Sequence, residues 1–263
     1  MRSEAFLRQF HDGHAGITSR VLARGGSYER LAARVCVERA RVDDAETNPH
    51  QLRVLDLGCG DGYLLDLLAA RRCDAVGLDI SRAELALAKR PRVQARAQQL
   101  PFADGAFDAA VSHLAFMLMD EPERVVAELA RVLVPGGAFH AVLGGGPTAD
   151  GCDAFHRFLA LGRPRGPRLG DRRAGAEEGW RELFAGWQLD FERWEIDLAG
   201  SLDEVWAFLA SSYQAHDDVR GQLAAEFGER VPCTVVMWCA TARSGYDARR
   251  EDSTAWRRPP HQK

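Results

Sequence analysis

The chain reads as an α/β protein built on an open, mostly parallel sheet with helices on both faces. Three observations predict this. Short β-rich runs alternate with helical runs from Leu52 to Leu143, the pattern of repeated strand-helix-strand units. A glycine turn follows the first of those runs directly. Hydrophobic residues make up 46% of 263 residues, enough to bury one large core.

The elements can be justified in order. Residues 1–50 are helical but punctuated: "FLRQFHDGHAGITSRVLARGG" breaks at Gly25 and Gly26, "SYERLAARVCVERARV" resumes, and "ETNPH" closes the segment with Pro49. Strands are expected at Leu52–Leu57, Ala75–Leu78, Arg92–Ala95, Ala109–His113 and Ala138–Leu143. Helices fall between them at Gly62–Arg72, Ser81–Lys89 and Pro122–Leu133. Ser81 with Glu84, and Asp120 with Glu123, have the spacing at which a capping side chain and a reciprocating glutamate close a helix start. Pro91 and the run Pro135-Gly136-Gly137 supply stops.

Beyond Leu143 the character changes. Residues 144–179 are rich in Gly, Pro and Arg, hold one amphipathic piece near Phe155–Leu161, and are expected to form an insertion on the substrate side. "WRELFAGWQ" then reads as a helix, "LDFERWEIDL" as a strand, "SLDEVWAFLASSY" as a helix capped by Ser201 and Glu204, and "CTVVMWCAT" as a strand. These complete a seven-stranded sheet in a domain of residues 51–242. The polar tail 243–263 lacks periodicity and is expected to be disordered.

Bulk properties narrow the function. Net charge is −4, with 34 Lys and Arg against 38 Asp and Glu, so a phosphate-backbone partner is not expected. Cys36, Cys59, Cys73, Cys152, Cys233 and Cys239 form no C-x-x-C pair, which argues against a zinc site and for reduced thiols. No apolar run is long enough for a membrane span and "MRSEAFLRQF" lacks the features of a leader, so a cytoplasmic protein is expected.

In an open α/β sheet ligands bind outside the carboxyl edge of the strands. Gly58, Gly60 and Gly62 stand there after the first strand, where a glycine turn lets the backbone approach a ligand closely. A dinucleotide fold wants G-x-G-x-x-G, but here Tyr63 stands where the third glycine belongs. Asp56 before the turn would repel a pyrophosphate, yet suits a cationic amine. Asp79 ends the second strand about 20 residues on, where a carboxylate can accept hydrogen bonds from a ribose diol.

"VLDLGCGDG", "GLDIS", "LPFADGAFDAAVSHLAF" and "ELARVLVPGGAF", in that order and spacing, closely resemble the class I S-adenosylmethionine-dependent methyltransferases, within the small-molecule group that includes ubiquinone and menaquinone biosynthesis enzymes. The resemblance covers about Leu52 to Leu143 well and the later strands more weakly. It implies a Rossmann-like sheet of strand order 3-2-1-4-5-7-6, an N-terminal helical lid, S-adenosyl-L-methionine as cofactor, and a monomer or homodimer. It also implies roles. Gly58, Cys59 and Gly60 would carry the methionine moiety, Asp56 would order its amino group, Asp79 would hold the ribose and Ile80 would pack on adenine. Tyr28 would reach the cofactor's carboxylate from the lid. Where relatives place an acidic residue for the adenine amino group this chain has Arg96, which accepts no hydrogen bond, leaving Gln98 and the Ala97 backbone to serve.

Methyl transfer asks the protein mainly to place a nucleophile in line, with a general base needed when that nucleophile arrives protonated. His113, at the end of the fourth strand, is the candidate base, and its alternative role is contact with the cofactor or closure of the strand. Met117, Leu118 and Met119 suggest an apolar pocket wall. His11 and His14 could line the pocket or be solvated. Arg163, Arg165, Arg168, Arg172 and Arg173 could attract an anion or form a solvated loop. Trp180, Trp187, Trp194 and Trp206 could face a planar substrate or pack in the core.

The expected activity is methylation of oxygen or nitrogen on a small molecule, in secondary metabolism, without a metal. A carboxyl acceptor, a protein or nucleic-acid acceptor, and a binding protein or nicotinamide oxidoreductase are the alternatives. "SHLAFM" is not the Asn/Asp-Pro-Pro-aromatic motif of base-methylating enzymes, and the glycine spacing opposes a dinucleotide.

Overall fold

A computed structural model describes residues 2–42, 51–149, 151–161, 163–164, 167–215 and 219–245. Three helices open the chain: α1 (Arg2–Gly13), α2 (Ile17–Leu22) and α3 (Ser27–Val42), with a 3₁₀ turn at Ala23–Gly25 marking the expected break. The main sheet is built from β1 (Arg53–Leu57), β2 (Asp74–Asp79), β3 (Arg92–Gln94), β4 (Phe107–His113), β5 (Leu133–Pro147), β6 (Gln188–Asp197) and β7 (Thr234–Arg243). Between them run α4 (Tyr63–Ala70), α5 (Arg82–Leu87), α6 (Pro122–Val132), α7 (Ala154–Leu161), α8 (Glu177–Leu183), α9 (Leu202–Ala210) and α10 (Val219–Glu226).

The seven strands lie in the order β3-β2-β1-β4-β5-β7-β6, so the expected 3-2-1-4-5-7-6 arrangement is the one observed. Strands β1 to β5 pair in parallel, while β7 runs antiparallel to both β5 and β6. The register sets Leu57 beside Leu78, bringing the carboxyl ends of β1 and β2 level. Buried β1 and β4 carry apolar side chains on both faces, as a sheet covered on both sides requires. Val54 and Val111 belong to one core cluster and Leu55 and Ala110 to the other.

Several boundaries differ from the sequence reading. Strand β5 is far longer than Ala138–Leu143, because Pro135-Gly136-Gly137 lies inside an extended run and a bulge between Gly144 and Gly146 carries pairing on to Pro147. The insertion therefore starts beyond the expected position 144. It holds α7 and α8, and a two-residue ribbon in which Arg163 and Pro164 pair with Ala215 and Gln214. Helix α8 begins at Glu177 and ends at Leu183, short of the expected Gln188, with Gly186 at φ +86° in the turn that follows.

Two of the three expected caps form. Ser81 accepts the Glu84 N–H, and Ser201 with Glu204 makes a full capping box. The third does not: Glu121, in the left-handed region at φ 53°, precedes α6, and Asp120 instead accepts a hydrogen bond from Ser3. The closing "ETNPH" and the tail from 246 onward lie outside the described residues. No described helix is long and apolar enough to cross a membrane.

Candidate functional site

The loops at the carboxyl ends of β1, β2 and β4 enclose two adjoining cavities beneath the N-terminal helices. The larger, about 230 Å³, meets Tyr28, Asp56, Gly58, Cys59, Gly60 and His113. The smaller, about 100 Å³, meets Ile80, Ala97 and Gln98. Gly58, Asp79 and His11 line both, and every site residue expected from the sequence borders one or other of these adjoining cavities.

The glycine turn is held by β2. Gly58 and Cys59 both donate their N–H groups to the Leu78 carbonyl, and the Gly60 N–H donates to Asp79 Oδ2 at 2.9 Å. Gly58 needs its φ of +77°, and a Cβ there would stand 2.4 Å from that of Ala115. The loop's N–H groups are thus spent on the protein, and its contribution to a ligand is close approach of the chain. Asp79 also accepts the Ser81 N–H at 2.8 Å, so both carboxylate oxygens are oriented by backbone donors while each retains a lone pair.

Asp56 is different. It is buried, and its Oδ2 has no hydrogen-bond partner. Burial pushes its carboxyl well above the usual range, with Asp79 and Asp61 adding to the effect. Burial likewise raises Asp79. A buried acceptor left unpaired and facing a cavity marks a place for a donor, and a cation would restore the ionised form.

His113 sits between Ser27 and Tyr28. Its Nε2 lies 2.9 Å from Ser27 Oγ, and its ring stacks on Tyr28 with centroids 3.7 Å apart. Burial pushes the imidazole down to about 3. It is neutral at physiological pH, and its Nδ1 is buried without a partner. So depressed a nitrogen is a weak proton acceptor.

The lid is fastened by polar pairs. Glu4 pairs with Arg96, Asp12 accepts from Ser81 Oγ, Ser19 donates to Asp61, and the Gly16 N–H donates to Glu84. Arg96, which cannot serve adenine, instead secures α1. Gln98 donates its amide to the Asp120 carbonyl at 2.6 Å, which leaves its own carbonyl for a ligand.

Of the two lid histidines, His11 lines the cavities, and sequence reading missed its partners Glu84 and Tyr213. His11 is only half-exposed, with Nδ1 3.2 Å from Glu84 Oε1 and Nε2 2.9 Å from the Tyr213 hydroxyl. A lone histidine on an amphipathic helix carries no signal of such partners. His14 is exposed and stacks on Phe10. Met117, Leu118 and Met119 do line the cavities. The tryptophans do not: Trp180 and Trp194 are core residues, and the aromatic lining comes from Tyr28, Phe208 and Tyr213. Of the arginine cluster, the described Arg168, Arg172 and Arg173 do not line the cavities, Arg173 being engaged by Asp171, Glu123 and Glu182, and the side chains of Arg163 and Arg165 lie outside the described residues.

Comparison with known proteins agrees with this geometry. Residues 55–141 match the family model described as a methyltransferase domain. The chain is 38% identical over 104 residues to the demethylmenaquinone methyltransferase of Renibacterium salmoninarum, covering 38% of this chain and 44% of that protein. It is 32% identical over 155 residues to the phosphatidylethanolamine N-methyltransferase of Cereibacter sphaeroides, covering 53% of this chain and 76% of the relative. The chain belongs to the class I S-adenosylmethionine-dependent methyltransferases. This methyltransferase spans half or less of the length of other curated relatives, 21% of a biotin biosynthesis bifunctional protein from Cellvibrio japonicus among them. The fold is shared with the YcgJ protein of Bacillus subtilis at a TM-score of 0.53 and 18% identity, covering 80% of this methyltransferase and 99% of that chain.

Proposed function

We propose that this chain transfers a methyl group from S-adenosyl-L-methionine to oxygen or nitrogen of a small molecule, in secondary metabolism. The observation that carries the reading is Asp56: a buried carboxylate with an unpaired oxygen, lining the same cavity as the backbone-oriented Asp79. The site residues fit the donor. Asp56 would receive its ammonium, Asp79 its ribose hydroxyls, and Ile80, Ala97 and Gln98 its adenine, with Gly58, Cys59 and Gly60 giving close approach. When bound, the donor supplies a methyl group on a positively charged sulfur, already activated for in-line attack.

The protein's own part is orientation and exclusion of water. Helices α1 to α3 roof the cavities, and Met117, Leu118 and Met119 keep one wall apolar. In this reading His113 anchors Tyr28 under the roof and takes no proton. The carboxyl-acceptor alternative is disfavoured by the carboxylates lining the space, and a protein or nucleic-acid acceptor by the roof over it. Calorimetry tests the reading directly: binding of S-adenosylmethionine and S-adenosylhomocysteine, with none of NAD, is expected. Binding of NAD in their place would overturn it.

A further inference from the structure

The larger cavity holds more carboxyl groups than the donor accounts for. Asp56, Asp61, Asp79 and Glu84 line it, and no Lys or Arg among the described residues lines either cavity. Asp56 and Asp79 are assigned to the donor by the reading above, on which this inference rests. Asp61 and Glu84 remain. His113 joins them: it lines the same space, is more than nine-tenths buried, and its Nδ1 has no partner. A carboxylate acceptor would enter such a space against repulsion, whereas an ammonium group would find acceptors for its three N–H donors.

The same cavity holds a means of removing the ammonium proton. A carboxylate only accepts hydrogen bonds, so Glu84 Oε1 fixes the proton of His11 on Nδ1, and Nε2 is then left to accept from the Tyr213 hydroxyl. Glu84 is itself buried and pinned through its second oxygen by the Gly16 N–H at 2.9 Å. All three residues line the larger cavity. We infer that the methyl acceptor is an amine that enters as its ammonium ion, and that Tyr213, His11 and Glu84 form the relay that takes its proton.

The relay balances as follows. An ammonium N–H gives its proton to the Tyr213 oxygen while the Tyr213 hydroxyl proton passes to His11 Nε2. The nitrogen lone pair so released forms the N–CH3 bond as the S–CH3 bond breaks, its electron pair remaining on sulfur. The imidazolium, beside Glu84, returns its proton to water once product departs. Asp79 and Asp12 also face His11, and His14 stacks on Phe10 of the same helix.

The test uses the chain saturated with S-adenosylhomocysteine and three probes of one size, benzylamine, benzyl alcohol and benzoate, with NMR of labelled histidine as the readout. Benzylamine is expected to bind at least tenfold tighter than benzoate and to shift the His11 ring signals. Asp61→Asn is expected to bring the two probes within about threefold of each other. Glu84→Gln should reduce the benzylamine-induced shift of the His11 ring signals at least threefold, with thermal melting verifying the fold of both variants. Equal or tighter binding of benzoate overturns the inference, as does failure of all three probes to bind. So does an amine preference that leaves the His11 ring unmoved. Failure of S-adenosylhomocysteine itself to bind would instead overturn the methyltransferase reading.

Discussion

His113 and Tyr28 lie ring on ring, 3.7 Å between centroids and 16° between planes, joining the end of β4 to the first turn of α3. The stack is closed by Ser27, whose hydroxyl meets the imidazole at 2.9 Å. A mid-sheet strand end and a lid helix are thereby one unit. Replacing His113 with Ala should cost about 2–4 kcal/mol in denaturant unfolding, through the cavity left and the loss of both contacts. In a double-mutant cycle, Ser27→Ala and His113→Phe should couple by about 1 kcal/mol.

The same imidazole makes a pH prediction. Its folded pKa of about 3 lies below the ordinary 6.5, so the unfolded chain takes up the proton first. The favourable neutral state is fully present above pH 6.5 and is lost progressively as pH falls from there toward 3, at about 1.4 kcal/mol per pH unit. Urea midpoints measured from pH 7 to 4 should fall less steeply in His113→Phe than in the parent. An identical slope would refute the neutral buried imidazole.

Asp56 runs the opposite way. Its folded pKa is raised, so the folded chain binds the proton more readily than the unfolded, and stability falls as pH rises above the ordinary 3.8. Asp56→Asn should therefore stabilise the ligand-free chain at pH 7 by about 1 kcal/mol or more, since a buried carboxyl whose ionisation burial opposes is removed. It should also weaken S-adenosylhomocysteine binding about tenfold or more, because the ammonium loses its counter-charge. Thermal melting and calorimetry on one variant would show both effects, of opposite sign.

The glycine turn separates stability from binding. Gly58→Ala meets the Ala115 Cβ at 2.4 Å with φ at +77° and should cost about 2 kcal/mol or more. At Gly60 the nearest atom to a new Cβ is Glu84 Oε2 at 3.7 Å, so Gly60→Ala pays backbone strain of about 1 kcal/mol at φ +53°. Its larger effect should be on donor affinity, because the methyl group would narrow the turn where a ligand approaches. Melting temperatures and titrations of the two variants are expected to rank in opposite orders.

Much of this was legible in the chain because it rests on local chemistry. Alternating β-rich and helical runs give the parallel sheet, and Ser81 and Ser201 cap helices through bonds three residues long. What escaped depends on distant partners. Asp120 has the spacing of a cap, but Ser3, 117 residues away, claims it. Proline and glycines at 135–137 read as a stop, yet β5 runs on across them and takes up regular pairing with β4 and β7 from Ala138. Helix α10 carries Gly221 in its interior and little apolar periodicity, so nothing local announced it. His11 gained its meaning only when Glu84 and Tyr213 came to its two nitrogens.

The fastenings of the lid have a bearing on how the protein is made. Helix α1 is synthesised before every residue it grips: Glu84, Arg96 and Asp120 follow, and Tyr213 comes only after the insertion has been added. The roof thus waits, with its polar side chains in water, through the synthesis of nearly the whole sheet, and the cavity cannot be enclosed on the growing chain until α9 has emerged. The enclosure so formed rests on side-chain pairs that water can replace, and local opening of the roof costs less than unfolding the sheet beneath it.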